Sequence, residues 1–491
     1  MRPRRTRACW LGTTTALLAV LLTAGCFGGL TSQRGDPQAP AGALHPDPAL
    51  VGAGDPLFPG LGNGGYDIDH YDLDLTWAPA TRLLSGTATL TATATRELAT
   101  FDLDLTGMVV DQVTVNKRPA RFGRQRAEIV IAPAQRIADK ARFTVAVTYH
   151  GQPSAVPYEG GRSTDVLGWQ ATARSTFTSQ EPYGAHGWYP CSDHPSDKAS
   201  YTIHVKAPSA LTVIANGKRT ERRVAGGITR WTYDAPAPLA SYLVTLAIGT
   251  YTVRIESGPR GLPLTYAYFP ADAAKVLPLL RKSPRQISYF ESLFGPYPFA
   301  SYGVLVTDVA DDQTMETQTM VTMGRGLATD TSRSYPKGFG ESVLAHELAH
   351  QWFGDAVTPA RWTDIWLNEG WAQYAQALYE VNVLGQSLSV KLLQYRQNDK
   401  RTRAGLGPPG RPAAGTLSGS QVYYGPALML HGLRGQMGDK AFFAMAQAWV
   451  HDNIGTSRTR ADFTAYVRKY AGRDLSGYMA GWLDSKSQPA R

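Results

Sequence analysis

The chain has 491 residues, of which 43% are hydrophobic and 18% charged, with a formal net charge of +9. That length allows two or three domains, and the apolar share supports a sizeable core, which excludes a disordered or fibrous chain. Four of the nine excess positive charges are Arg2, Arg4, Arg5 and Arg7, leaving +5 for the remainder, which reads as free of Lys/Arg blocks, so no nucleic-acid partner is expected.

Residues 1–25 read as a signal peptide. Arginines open it, ALLAVLL (residues 16–22) is a short apolar core, and small residues precede Cys26. A cysteine at that place resembles the acylated cysteine of a bacterial lipobox, with Thr23 where leucine is usual. The expectation is export to the outer face of the cell membrane with a lipid anchor on Cys26, or else plain secretion. No later apolar run is long enough to span a bilayer. Cys9 falls in the signal, so Cys191 is left without a partner and is expected to be an inert buried thiol.

Residues 26–64 are rich in Gly, Pro and Ala without periodicity and predict a flexible tether. A period of two then begins. In YDLDLTW, Tyr71, Leu73, Leu75 and Trp77 alternate with polar residues, and similar segments recur as far as YLVTLAIGTYTV. This predicts an antiparallel β domain over residues 65–255. From residue 256 the texture changes. AAKVLPLLRKSPRQISYFESLFG has helical spacing, YGVLVTDV (302–309) reads as a strand, 339–353 and 365–383 as helices, and the tail after Tyr424 as helical. The fold class is therefore α+β multidomain, with a mixed second domain over 256–491.

LAHELAHQWFGD (residues 344–355) carries the chemistry. On a helix, His346 and His350 lie one turn apart on one face and can grip a single metal ion. Glu347 is offset, so it can hold a water without being a ligand, as in the H-E-x-x-H arrangement of zinc peptidases. Catalytic zinc takes three protein ligands and keeps one position open. Glu369, 19 residues after His350 in WTDIWLNEGWAQY (362–374), is the candidate third ligand. Asp355 and Asp364 are candidates for orienting an imidazole.

The block from His346 to Tyr374 resembles the zinc signature of the aminopeptidase N type of metallopeptidase, the gluzincin family that includes leukotriene epoxide hydrolase. SQEPYGAHGWYPCSDHPSDKASY (179–201), QTMETQTMVT (313–322) and VYYGPALMLHGLR (422–434) resemble three further family segments, in the family's order. The resemblance implies a saddle-like antiparallel β domain followed by a thermolysin-like catalytic domain with one Zn2+ per chain. It implies hydrolysis of N-terminal residues from peptides with a free N-terminus. His346, His350 and Glu369 would be the zinc ligands and Glu347 the general base. Tyr423 would stabilise the oxyanion. Glu316 and Glu181 would bind the substrate's amino group, with Met315 beside them in the substrate site.

This chain departs from the family pattern in places. Gln313-Thr314 stands for Gly-Ala, which implies an altered S1 pocket, and Thr317 stands for Asn. Gly425-Pro426 stands for Lys-Gly beside Tyr423, and Trp371 for Phe. The sequence stops where the family often adds a helical superhelix, which implies a more open cleft. Two other readings stay open: a zinc endopeptidase or epoxide hydrolase of the same family, and a non-catalytic surface module on a peptidase scaffold.

Overall fold

The computed structural model describes residues 44–158, 166–309, 313–333, 335–417 and 419–489. The signal segment and Cys26 lie outside the described residues.

The period of two becomes a sheet of eight strands. Their order is Lys218–Ala225, Ile228–Ala240, Lys198–Pro208, Tyr66–Ala78, Leu83–Ala94, Arg142–Gly151, Val109–Val115 and Arg118–Pro119. Tyr71, Leu73, Leu75 and Trp77 are buried on one face, and the alternating Asp72, Asp74 and Thr76 meet solvent. Pairing is antiparallel except between Tyr66–Ala78 and Lys198–Pro208, which run parallel with the rings of Tyr71 and Tyr201 stacked 4.6 Å apart. A parallel pair needs a long crossover. The crossover chain supplies part of a second, five-stranded sheet, including Ser175–Ser179, which leads directly to Glu181.

The outer strand Lys218–Ala225 corrects one expectation. Its residues are all exposed and include Lys218, Arg219, Arg222 and Arg223 against a single acid, Glu221, a basic run where none was read. Charges on an edge strand block pairing with another sheet, and Arg219 and Arg222 also lie over the ring of Trp231.

The segment YLVTLAIGTYTV is two strands rather than one. Leu246–Gly249 joins the second β sheet, while Thr252–Ser257 joins the sheet of the next domain, so the chain changes sheets a few residues before 255. The alternation continues across the join, which hides it in the sequence. The third sheet has the order Thr252–Ser257, Pro263–Tyr268, Tyr302–Thr307, Val321–Gly324 and Thr314–Met315, with the last at the edge.

Among the described residues ten helices follow: α1 (Ala273–Leu280), α2 (Ser283–Phe294), α3 (Arg325–Ala328), α4 (Gly340–Ala349), α5 (Trp366–Asn382), α6 (Leu388–Leu406), α7 (Gln421–Met437), α8 (Asp439–Asn453), α9 (Arg460–Ala471) and α10 (Ser476–Asp484). The tail is helical as expected, apart from a short strand, Thr456–Arg458, that pairs with Val357–Pro359. Helix α4 carries His346, with His350 as its C-cap, and is buried around almost its whole circumference, so its position is fixed from every side. Helix α5 packs on α7 at Gly370, where a Cβ would come within 2.4 Å of the Pro426 Cβ. No helix among the described residues is long and apolar enough to cross a membrane.

The expected tether is ordered from residue 44 onward. Leu50 and Phe58 enter the core, and the buried Asp55 carboxylate accepts from the Trp362 backbone N–H at 2.8 Å, joining the segment to the second domain. Apolar residues spaced this sparsely give no periodic signal, so the packing was not visible in the sequence.

Lys198 links the two halves. Its ammonium donates to the Asp355 carbonyl at 2.6 Å and to Thr358 Oγ1 at 2.8 Å, just beyond the histidine helix. Burial lowers its pKa from the ordinary 10.5 to about 7, against the opposing pull of Asp355. Between those values the unfolded chain binds more protons than the folded one, so this group makes stability rise with pH across that window. Relative to Lys198→Met, the wild-type unfolding free energy should gain about 2 kcal/mol between pH 7 and pH 9. Urea unfolding of both proteins at the two pH values measures this, and parallel pH dependence would contradict it.

Candidate active site

Helices α4 and α5 bring His346, His350 and Glu369 together. The Glu369 Oε2 lies 3.3 Å from His346 Nε2 and 3.6 Å from His350 Nε2. Two donors each about 2.0–2.1 Å from one ion, at a tetrahedral angle, stand roughly 3.3–3.4 Å apart, so the spacing suits a shared zinc ion. The protonation states suit it too. Burial lowers the His346 pKa to about 4, keeping that ring neutral. His350 Nδ1 faces two acceptors, Asn368 Oδ1 and the Phe353 carbonyl, which assigns its proton to Nδ1 and leaves Nε2 free toward Glu369. Burial, offset by His350, pushes the Glu369 carboxyl up to about 7, the response of a carboxylate prepared for a cation.

Asn368 is the residue that sequence reasoning missed. Its Oδ1 orients His350, and its Nδ2 donates to Glu316 Oε1 at 3.0 Å. Gly354, at φ 127°, makes this possible, because a Cβ there would fall 2.1 Å from Asn368 Oδ1. Asp355 and Asp364 were expected to orient an imidazole, and neither does. Asp355 Oδ2 accepts from Gln351 Nε2 at 2.7 Å, and Asp364 Oδ2 accepts from the Arg460 N–H at 3.0 Å. The neighbouring helix places a carboxamide at the ring before either acid can reach it. Asn368 was visible only as the polar residue preceding Glu369.

Gln351 is the second omission. Its Nε2 donates to the Glu316 carbonyl at 2.9 Å, and its Oε1 accepts from the Thr319 N–H at 2.9 Å. It thereby locks the Glu316 turn to the end of α4. Glu316 itself is buried just past the edge strand Thr314–Met315. Glu181 arrives from the β domain, and its oxygen lies within 4.8 Å of oxygens on Glu316 and Glu369. Burial, then Glu316, Glu369 and Glu347, drive the Glu181 carboxyl well above its usual range, and among the described residues its Oε1 has no hydrogen-bond partner. Met315 holds this corner, its sulfur 3.4 Å from the Gln180 backbone N–H.

Glu347 faces the same cavity, of about 620 Å³. Burial and Glu316 push its carboxyl well up, and Thr314 Oγ1 opposes this by donating to its Oε1 at 2.8 Å. The Tyr423 ring stacks on His346 with centroids 5.9 Å apart. Gly425 and Pro426 fit around this tyrosine. A Cβ at Gly425 would meet Asp399 Oδ1 at 2.5 Å, so the glycine lets α6 approach α7 two residues after Tyr423. Cys191 is fully buried and its thiol pKa is pushed well up by burial, as expected of an inert thiol.

Known proteins agree with this arrangement. Residues 68–243 match the peptidase M1 N-terminal domain and residues 279–482 the peptidase family M1 domain. Aminopeptidase N of Streptomyces lividans is 26% identical over 341 residues, covering 63% of this chain and 38% of that protein, so the match spans well under half of that relative. The M1 zinc metallopeptidase of Deinococcus radiodurans superposes with a TM-score of 0.80 at 29% identity, over 89% of this chain and 99% of that one. A mutant of it has been crystallised with a Tyr-ser-ala substrate. Native yeast LTA4 hydrolase, at 20% identity and a TM-score of 0.72 over 87% of this chain and 69% of that one, shares the fold. With both of its domains matched in order and an M1 zinc metallopeptidase superposed along nearly its entire length, the chain belongs to peptidase family M1.

Proposed function

We propose that the protein is a zinc aminopeptidase that removes the N-terminal residue from peptides. The observation that carries this reading is the meeting of two imidazole nitrogens and a carboxylate oxygen at near-tetrahedral spacing, beside the Glu181–Glu316 carboxylate pair. Zinc held by His346, His350 and Glu369 would supply Lewis acidity to the scissile carbonyl and acidify water. Glu347 takes the proton of the attacking water and returns it to the leaving amine. Its burial raises its proton affinity, which favours accepting the water's proton.

Tyr423 donates to the oxyanion. Burial and the surrounding carboxylates raise its phenol pKa, so its proton stays available for donation. Glu316 and Glu181 receive the substrate's α-ammonium. A blocked N-terminus would leave two buried carboxylates facing an uncharged group, which is the physical basis of exopeptidase selection. The tripeptide substrate of the Deinococcus radiodurans relative is consistent with this class of ligand.

We also infer from the leader that the protein is exported and anchored by acylation of Cys26. Cys26→Ala should then move it from the membrane fraction to the medium, and fractionation that finds it still on the membrane would contradict the anchor.

Glu347→Gln should retain stoichiometric zinc and lose about 10²- to 10⁴-fold in turnover, the scale for a general base. Metal analysis beside kcat on an aminoacyl arylamide checks both halves. N-acetylation of a peptide substrate should abolish cleavage. Glu316→Gln should lower kcat/KM by about 10- to 100-fold, as expected for losing a charge-assisted contact. Equal rates on free and acetylated peptides would remove the aminopeptidase reading and favour an endopeptidase.

A further inference from the structure

The substrate-side strand departs from the family pattern at Gln313, Thr314 and Thr317, and all three side chains are used. Gln313 Nε2 donates to Ser179 Oγ at 2.8 Å, tying the segment to the β domain. Thr317 Oγ1 donates to the Met320 carbonyl and closes the turn after Glu316. Thr314 Oγ1 donates to Glu347 Oε1 at 2.8 Å. Among the described residues no other hydrogen bond to the Glu347 carboxylate is present.

We propose that Thr314 is a positioning residue that sets the orientation of the Glu347 carboxylate for proton transfer; the proposal deepens the aminopeptidase reading and depends on it. Glu347 is a long side chain on α4, buried among Glu316 and Glu369, which repel it. A carboxylate in that field, with no donor, turns away from its like-charged neighbours. Thr314 removes that freedom. A β-branched residue on a strand has a stiff χ1, so its hydroxyl is aimed rather than searching. With Oε1 occupied by this donor, Oε2 is left as the proton acceptor. The same two-residue strand, Thr314–Met315, leads straight into Glu316. One short element therefore sets both the base and the amine anchor, fixing the distance between the substrate's free end and the carbonyl under attack. Alanine at position 314 would keep the anchor and lose the hold on the base.

The expected signature is a defect in kcat with little change in KM, because Thr314 acts on the base and the anchor carboxylates remain. Thr314→Val preserves shape and removes the hydroxyl, while Thr314→Ser keeps the hydroxyl and removes the methyl. Steady-state kinetics on an aminoacyl arylamide, zinc content and melting temperature would be measured for wild type and both variants, with crystal structures of zinc-loaded wild type and Thr314→Val. Thr314→Val should lose about 10- to 100-fold in kcat, the scale for losing a hydrogen bond to a charged group. It should keep its zinc and show the Glu347 carboxylate rotated away from its wild-type position. Thr314→Ser should recover most of the rate. The proposal is overturned by wild-type kcat in Thr314→Val, by a change confined to KM, by a serine variant no better than valine, or by an unmoved Glu347. A wild-type protein inactive on every arylamide would sink the aminopeptidase reading instead, and the pair of crystal structures would still decide whether Thr314 holds Glu347.

Discussion

Buried negative charge governs this molecule. Glu181, Glu316, Glu347 and Glu369 converge on one cavity, with Asp355 behind them. Among the described residues Lys391 is the one Lys or Arg lining that cavity, and it is already paired with Glu380 at 2.6 Å. Removing several carboxylates from water without counter-charges is unfavourable by several kcal/mol for each group. The upward pKa shifts of Glu181, Glu347, Glu369 and Asp355 are four expressions of that one imbalance. Among the described residues the cavity lining holds no other Lys or Arg, so on the proposed reading the balancing charge comes from cations outside the chain. A divalent ion would answer the Glu369 corner, where two imidazoles complete the donor set. A substrate ammonium would answer the Glu181–Glu316 corner.

Holding like charges together requires a scaffold that cannot relax, and the packing supplies one. Helix α4 is buried nearly all round, and fifteen residues of α5 are buried. Asn368 couples the two corners directly, since its two ends serve His350 and Glu316. Gln351 fixes the Glu316 backbone, and Lys198 pins the chain just after the histidine helix. These carboxamides are neutral, so they orient charged groups without cancelling the field that the ligands must meet. An arginine in their place would satisfy the carboxylates and remove the need for a cation from outside.

Much of this was readable from the chain. Alternation revealed the large sheet and helical spacing revealed α2, α4 and α5, because these signals are local and periodic, and the His346–His350 spacing with Glu369 marked three residues that the fold brings together. Partnerships made across long separations were not readable. Asn368 and Gln351 are ordinary polar residues until folding brings His350, Glu316 and Thr319 to them. Asp355 and Asp364 had the chemistry expected of imidazole partners and lacked the geometry. The packing of residues 44–64 depends on single contacts such as Asp55 with Trp362 and leaves no period. The join at residues 249–252 is concealed because strands of two different sheets follow one another with the same alternation.

On the proposed reading, selection for a chain end is a property of two domains rather than one. The proposed metal donors and base come from α4, its C-cap His350 and α5, and that set alone has no group that recognises a chain end. Glu181 belongs to the β domain, and it meets Glu316 only because the two domains share contacts near the site. Gln313 bonded to Ser179, the Met315 sulfur at the Gln180 N–H, and Asn216 Nδ2 donating to the Gln318 carbonyl at 2.7 Å all lie within a few residues of the amine anchors. A small displacement between the domains would change the Glu181–Glu316 separation while leaving the Glu369–imidazole distances as they are. On the proposed reading, bond cleavage and end recognition are mechanically separable, and the interdomain contacts around Ser179–Glu181 and Gln313–Thr319 hold Glu181 beside Glu316.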